Sequence, residues 1–261
     1  MIKLNKNFFL VFVFSIFIFL SQSTIAKTIS NIQLVKKDEI IRRLGNNTIK
    51  EVKSLSEKEK EQVLCISLNI YHETRSSSID DKIASTYTVI NRYYDKKYPK
   101  KITGENTFCN IVFDPEQYSW TNSRTIQYPA EKKAWIESQK IAYKILYSEE
   151  FLENAKDILF KHYVRPEIIH KASKDSWLNN RTYEMPIGSH VYMLFEDTDK
   201  PLIIFANEVQ NRLTIDSKII EQSLRGNNEF YPYSSSFLKE LFGPKSALAN
   251  RPYTPEWVKN L

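Results

Sequence analysis

Glycine is scarce, with five residues in 261. A phosphate cradle needs clustered glycines so that backbone N–H groups can close on the ligand, and no such loop or nucleotide motif is present. Histidine numbers four, and the metalloprotease pattern fails: His72-Glu73 is followed by Ser76 where a second histidine would stand. No basic patch is interleaved with a nucleic-acid-binding motif, so the net charge of +6 does not argue for nucleic acid. No internal repeat occurs, and the only low-complexity tract is Ser234-Ser235-Ser236. Apart from one segment, long apolar runs are missing. Phe8 to Leu20 is apolar but for Ser15, with Lys3 and Lys6 before it and Thr24-Ile25-Ala26 after it. That is short for a membrane span, which needs about 20 residues. Residues 1–26 therefore read as a signal peptide. The rest is expected to be exported, to the periplasm or cell envelope, touching a membrane only through this segment if it stays uncleaved.

Two of the 37 basic residues and none of the 31 acids lie in that segment, leaving a net charge of +4. A mild basic excess suits an anionic polymer. The hydrophobic content of 42% supports a core, and about 235 residues suffice for one large domain or one domain with an appendage. Residues 27–55 are polar and lysine-rich, a linker or lead-in with a weak helix around Lys36–Leu44.

The informative stretch is Cys65 to Arg92. Ser56 and Glu59 form a capping box, and Val63, Ser67, Ile70 and Thr74 follow at helical spacing, predicting a helix over Glu57–His72. Ser78 and Asp81 cap a second helix, whose apolar face is Ile83, Tyr87, Ile90 and Tyr94. Between them, Glu73 stands at a helix C-terminus, where the partial negative charge disfavours a carboxylate and helps keep it protonated. A general acid needs that property.

Residues 100 to 128 read mostly as loop. In it, Gln117, Ser119 and Trp120 combine hydrogen-bonding groups with a flat apolar face, the mixture a sugar ring needs. One helix is predicted over Ala130–Asn154, strands over Asp157–His162 and Ser189–Phe195, and a buried strand at Leu202–Phe205 with a short helix at Ser217–Leu224. The predicted class is α+β, mainly helical, with residues 56–196 as the main domain and residues 197–261 as a C-terminal extension packed on it. An even cysteine count in an exported chain favours a Cys65–Cys109 disulfide over two free thiols.

Five short blocks resemble, in order, the signature series of SleB-type cell-wall hydrolases, the spore-cortex-lytic enzymes and their relatives. They are Tyr71-His72-Glu73-Thr74-Arg75, Val89-Ile90-Asn91-Arg92, Gln117-Tyr118-Ser119-Trp120, Leu159-Phe160-Lys161-His162 and Ile187-Gly188-Ser189-His190-Val191-Tyr192. The resemblance implies a lysozyme-like catalytic domain with a short β portion and peptidoglycan as partner. It makes Glu73 catalytic and gives substrate-binding roles to Arg75, Asn91, Arg92, Gln117, Ser119, Trp120, His162, His190 and Tyr192. Ser76 and Ser77 stand where relatives often carry glycine and a second acid. A single glutamate can protonate the glycosidic oxygen and then take the proton of the substrate's own 6-hydroxyl, giving a 1,6-anhydromuramic product. This lytic transglycosylase outcome is the expected one, with no cofactor, no metal and a monomeric enzyme. Asp80, Asp114, Glu116 and Glu184 are candidates for a second carboxylate. A zinc amidase using His72, His162 and His190, and a non-catalytic wall-binding protein, are the competing readings.

Overall fold

The computed structural model describes residue 28 and residues 32–96, 98, 102, 107–123, 127–173, 176–195 and 202–225. Residues 1–26, read from sequence as a signal peptide, and the tail after residue 225 lie outside the described residues.

A helix over residues 32–44 (α1) stands where a linker with a weak helix is expected. Its Ile40 and Leu44 join the core, so this lead-in is part of the packed body. After a one-turn helix, α2 (Lys50–Lys53), comes α3 (Glu57–Thr74). Its capping box is present in both directions, the Ser56 hydroxyl accepting from Glu59 N while the Glu59 carboxylate accepts from Ser56 N. The helix runs two residues past His72, which puts Glu73 inside its last turn. The polar elbow follows, and α4 (Ile79–Tyr94) starts with the Ser78 hydroxyl accepting from Asp81 N. A short helix, α5 (Phe108–Val112), brings Cys109 to Cys65, and the two form a disulfide.

The helix expected over Ala130–Asn154 is two helices, α6 (Lys132–Leu146) and α7 (Glu149–Ile158). The break falls at Tyr147, which leaves helical geometry, and at Ser148, whose backbone is extended ahead of Glu149 and Glu150. Acids after a serine are a start signal that the continuous apolar periodicity concealed. Leu159, with φ of 63°, terminates α7, so the strand expected over Asp157–His162 begins only at its last residue, as β1 (His162–Val164). A one-turn helix, α8 (Pro166–His170), and a 3-10 turn (Trp177–Asn180) lie in the stretch between the two strands predicted from sequence. Then come β2 (Tyr183–Ile187) and β3 (His190–Leu194), antiparallel throughout in the order β1-β3-β2. Finally, Leu202 to Arg225 is one helix, α9. The strand expected at its start is corrected by the stripe Phe205, Val209, Leu213, Asp216 and Ile220, buried at helical spacing.

The result is a mainly helical α+β body with a three-stranded sheet, the arrangement expected of a lysozyme-like domain. α3 packs against α6, α4 and α5, while α9 and α7 cover the far side of α4. Tyr87, Phe108, Phe151, Phe160 and Tyr192 are fully buried among these layers. The polar C-terminal end of α3 is thereby held at the edge of a dry core.

Candidate active site

The β2–β3 hairpin turns through Gly188-Ser189. Gly188 has a positive φ of 59°, as the first position of a tight two-residue turn of this kind requires. It also has no room for a side chain, because a Cβ there would meet Asp81 Cβ at 2.6 Å and Ser77 Oγ at 2.7 Å. The hairpin tip is thus seated on the start of α4. The Asp81 carboxylate accepts from Ser189 N at 3.0 Å, Ser189 Oγ at 2.9 Å, His190 Nδ1 at 3.0 Å, Tyr192 Oη at 2.6 Å and the Ser77 hydroxyl. Burial alone would raise its pKa, but the hydrogen bonds from His190, Ser77 and Tyr192 overcome that and hold it below the usual carboxylate range.

This junction closes one wall of a cleft of about 380 Å³, lined by His72, Glu73, Arg75, Ser76, Ser77, Arg165, Glu167 and Ser189. Three separate segments meet there: the end of α3 with its elbow, the β1–α8 junction and the hairpin tip. Glu73 is half-buried in it. Its carboxyl pKa is raised, first by burial; the charges of His190, Arg165 and Arg92 pull it back down, and that of Asp81 adds to the rise. The direction agrees with the helix-end expectation, but the cause is desolvation together with the Asp81 charge. His72 is pushed down to about 4, first by burial and also by the Arg75 charge. Its neutral ring stacks on Trp120 with centroids 4.5 Å apart and donates from Nε2 to the Gln127 carbonyl at 3.2 Å.

Of the residues singled out from sequence, Glu73 and Arg75 line the cleft. Arg75 pairs with Glu131 at 3.0 Å and lies over the Tyr71 ring. Trp120 backs His72 from behind. Asn91, Arg92, His190 and Tyr192 are buried beneath the cleft rather than open in it. Asn91 donates to the Phe160 carbonyl at 3.1 Å, while Arg92 donates to the Lys161 carbonyl at 2.6 Å and to Tyr118 Oη at 3.0 Å. Both arms tie α4 to the segment entering β1. Gln117 accepts from Tyr98 Oη at 2.6 Å, and Ser119 is exposed outside the cleft. His162 contacts Trp177, Phe195 and Tyr98 instead of the cleft.

The four candidates for a second carboxylate also lie elsewhere. Asp80 accepts from the Ser217 hydroxyl on α9, Asp114 accepts from Ile102 N, Glu184 pairs with Arg181, and Glu116 is exposed on a turn with φ of 68°. Glu167, which the sequence does not single out, lines the cleft in their place. Asp81, read from sequence only as a cap, organises the junction. The three histidines of a zinc reading are committed separately, and among the described residues no three His, Cys, Asp or Glu side chains converge on a metal position.

Behind Glu73, one turn back on α3, the Asn69 amide is fully buried against the Tyr163 hydroxyl. Neither group makes a hydrogen bond of normal geometry.

Residues 76–193 match the family model described as Cell Wall Hydrolase. The matched span opens at the elbow and closes in β3, taking in the Asp81 junction, Arg165 and Glu167, with Glu73 three residues ahead of it. No curated protein and no solved structure matches the chain.

Proposed function

The chain carries a SleB-type cell wall hydrolase domain, and on that premise we propose that it cleaves the glycan strand of peptidoglycan between N-acetylmuramic acid and N-acetylglucosamine, as a lytic transglycosylase with Glu73 as acid and then base. The observation that carries this reading is Glu73 itself. It is a carboxyl in a cleft whose pKa burial raises, in the direction a general acid needs, while the neighbouring Asp81 carboxylate is committed to five hydrogen bonds. In the first step Glu73 gives its proton to the departing glycosidic oxygen as the bond from the muramic C1 breaks. In the second, Glu73 takes the proton of the 6-hydroxyl as that oxygen bonds to C1, closing the 1,6-anhydro ring and restoring the acid. No water is consumed.

Arg75, Arg165 and Ser76 offer donors around the same space for hydroxyl, acetamido and carboxylate groups of the strand, while Ser77 and Ser189, whose hydroxyls donate to Asp81, offer acceptor oxygens. The N-terminal segment supports export, so the enzyme would meet its polymer in the cell envelope as a monomer.

One observation favours a second reading. Glu167 faces the same cleft, and a carboxylate across the bond from the acid could activate water and give hydrolysis. Digestion of purified sacculi in heavy-oxygen water, followed by mass spectrometry of the fragments, separates the two. Unlabelled anhydromuramic ends are expected. Labelled reducing ends would assign hydrolysis, and Glu167→Gln should then abolish them. Release of peptide stems, lost on chelation, would point to an amidase.

A further inference from the structure

Among the described Phe, Tyr and Trp side chains, Trp177 alone is open to solvent, at 52% exposure. It is not an isolated surface residue. Its ring lies 5.4 Å from Phe195, tilted 33°, and 5.4 Å from His162; His162 in turn meets Phe195 at 4.9 Å and Tyr98 at 5.8 Å. The turn that carries it is pinned. Leu178 next to it is buried with Val191 and Met193, its N–H reaches the Ser176 hydroxyl, and its carbonyl accepts from Arg181 at 2.7 Å. Trp177 is therefore a fixed flat surface rather than a swinging side chain.

This surface continues to the Glu73 cleft by two routes. From His162, β1 leads to Arg165 on the cleft rim, three residues or about 10 Å away. From Tyr98, the hydroxyl holds Gln117, and the same short segment runs on to Trp120, stacked on His72 of the cleft. Burial pushes His162 down to about 4, so the backing ring is uncharged at neutral pH. A flat, uncharged aromatic face suits the apolar face of a sugar ring better than it suits a charged peptide stem.

We propose that Trp177, backed by His162 and Phe195, is a distal stacking subsite for a hexosamine ring of the same glycan strand that lies across Glu73. The proposal rests on the glycan-cleaving reading. Bond cleavage then happens at one end of a track and strand retention at the other, so longer strands should be held better than short ones.

The test uses full-length Glu73→Gln protein, which binds without turnover, with peptide-free glycan strands of one and of several disaccharides, and affinities read by calorimetry. Long strands should bind tighter than the single disaccharide. Adding Trp177→Ala should cut long-strand affinity roughly three- to tenfold and collapse that advantage, while Trp177→Phe should restore most of it. Unchanged long-strand binding, or an equal loss for both lengths, would overturn the subsite. So would a loss seen only with stem-bearing strands, or a Trp177-dependent self-association in sedimentation. If the Glu73→Gln protein binds no glycan of either length, the glycan reading itself fails, a result distinct from any of these.

Discussion

Asp81 and His190, 109 residues apart in the chain, are joined by a hydrogen bond of 3.0 Å from the imidazole Nδ1 to the carboxylate Oδ2, both side chains closed to solvent. The bond fixes the ring's tautomer, because an ionised carboxylate can only accept. It also fixes the hairpin tip against the elbow beside Glu73. The cleft wall is held by a polar junction, and its stability is tied to one charge.

Asp81→Asn should therefore destabilise the fold by about 2–4 kcal/mol, since it removes the charge that five donors surround. The pH sign follows from the lowered pKa. The contribution is present above the unfolded carboxylate value, near 3.9, and is lost as pH falls through the lower folded value. Urea unfolding of wild type and variant at neutral and acid pH measures both. Equal midpoints at neutral pH would refute the role.

Glu73→Gln should lower sacculus lysis by at least about a hundredfold without altering the unfolding midpoint, as loss of a general acid does. Turbidity decay beside a thermal melt checks it. A well-folded variant with full activity would remove Glu73 from the chemistry.

The pH profile should have an alkaline limb set by loss of the Glu73 proton. Arg165 lowers that pKa by its charge, so Arg165→Gln should move the limb to higher pH. Initial rates across pH for both proteins give the comparison. A shift to lower pH, or none, contradicts the electrostatic link.

On the far side of α4, Tyr87 Oη donates to the Asp216 carboxylate of α9 at 2.6 Å, and Asn154 Nδ2 donates to it at 3.0 Å. Burial, aided by the Glu150 charge, pushes Asp216 up to about 7 against the pull of those hydrogen bonds and of Arg212. A raised acid contributes stability that is whole below the unfolded value and is lost as pH rises through about 7. The melting temperature should fall across that range, and Asp216→Asn should flatten the fall. A wild-type melt that rises through neutrality would contradict the assignment.

Reduction of Cys65–Cys109 opens a loop with a sequence separation of 44 residues. It should cost about 3–4 kcal/mol in the chain-entropy picture. Denaturation with and without reductant reads this directly, and an unchanged midpoint would mean the unfolded chain is restrained in some other way.

Local signals accounted for much of this structure. Ser56 with Glu59 and Ser78 with Asp81 start two helices, because capping satisfies backbone N–H groups within a few residues of chain. Those starts put Glu73 at a helix end, which gave the direction of its pKa shift but not the cause, because the burial and the Asp81 charge that raise it come from packing. Periodicity was misled where it ran through a break, as at Tyr147-Ser148, or was judged on too short a window, as at Leu202–Phe205. Tertiary structure alone decided which polar residues open to the cleft. Asn91, Arg92, His190 and Tyr192 look like ligands in sequence and are buried braces in the fold. Ser189, Arg165 and Glu167 reach the cleft because a hairpin tip without a Cβ seats on Asp81 and because β1 ends at its rim. Spacing along the chain determines what a residue meets one turn away. Whether a polar group meets solvent or a buried carbonyl depends on elements seventy or a hundred residues off, and only their packing sets that.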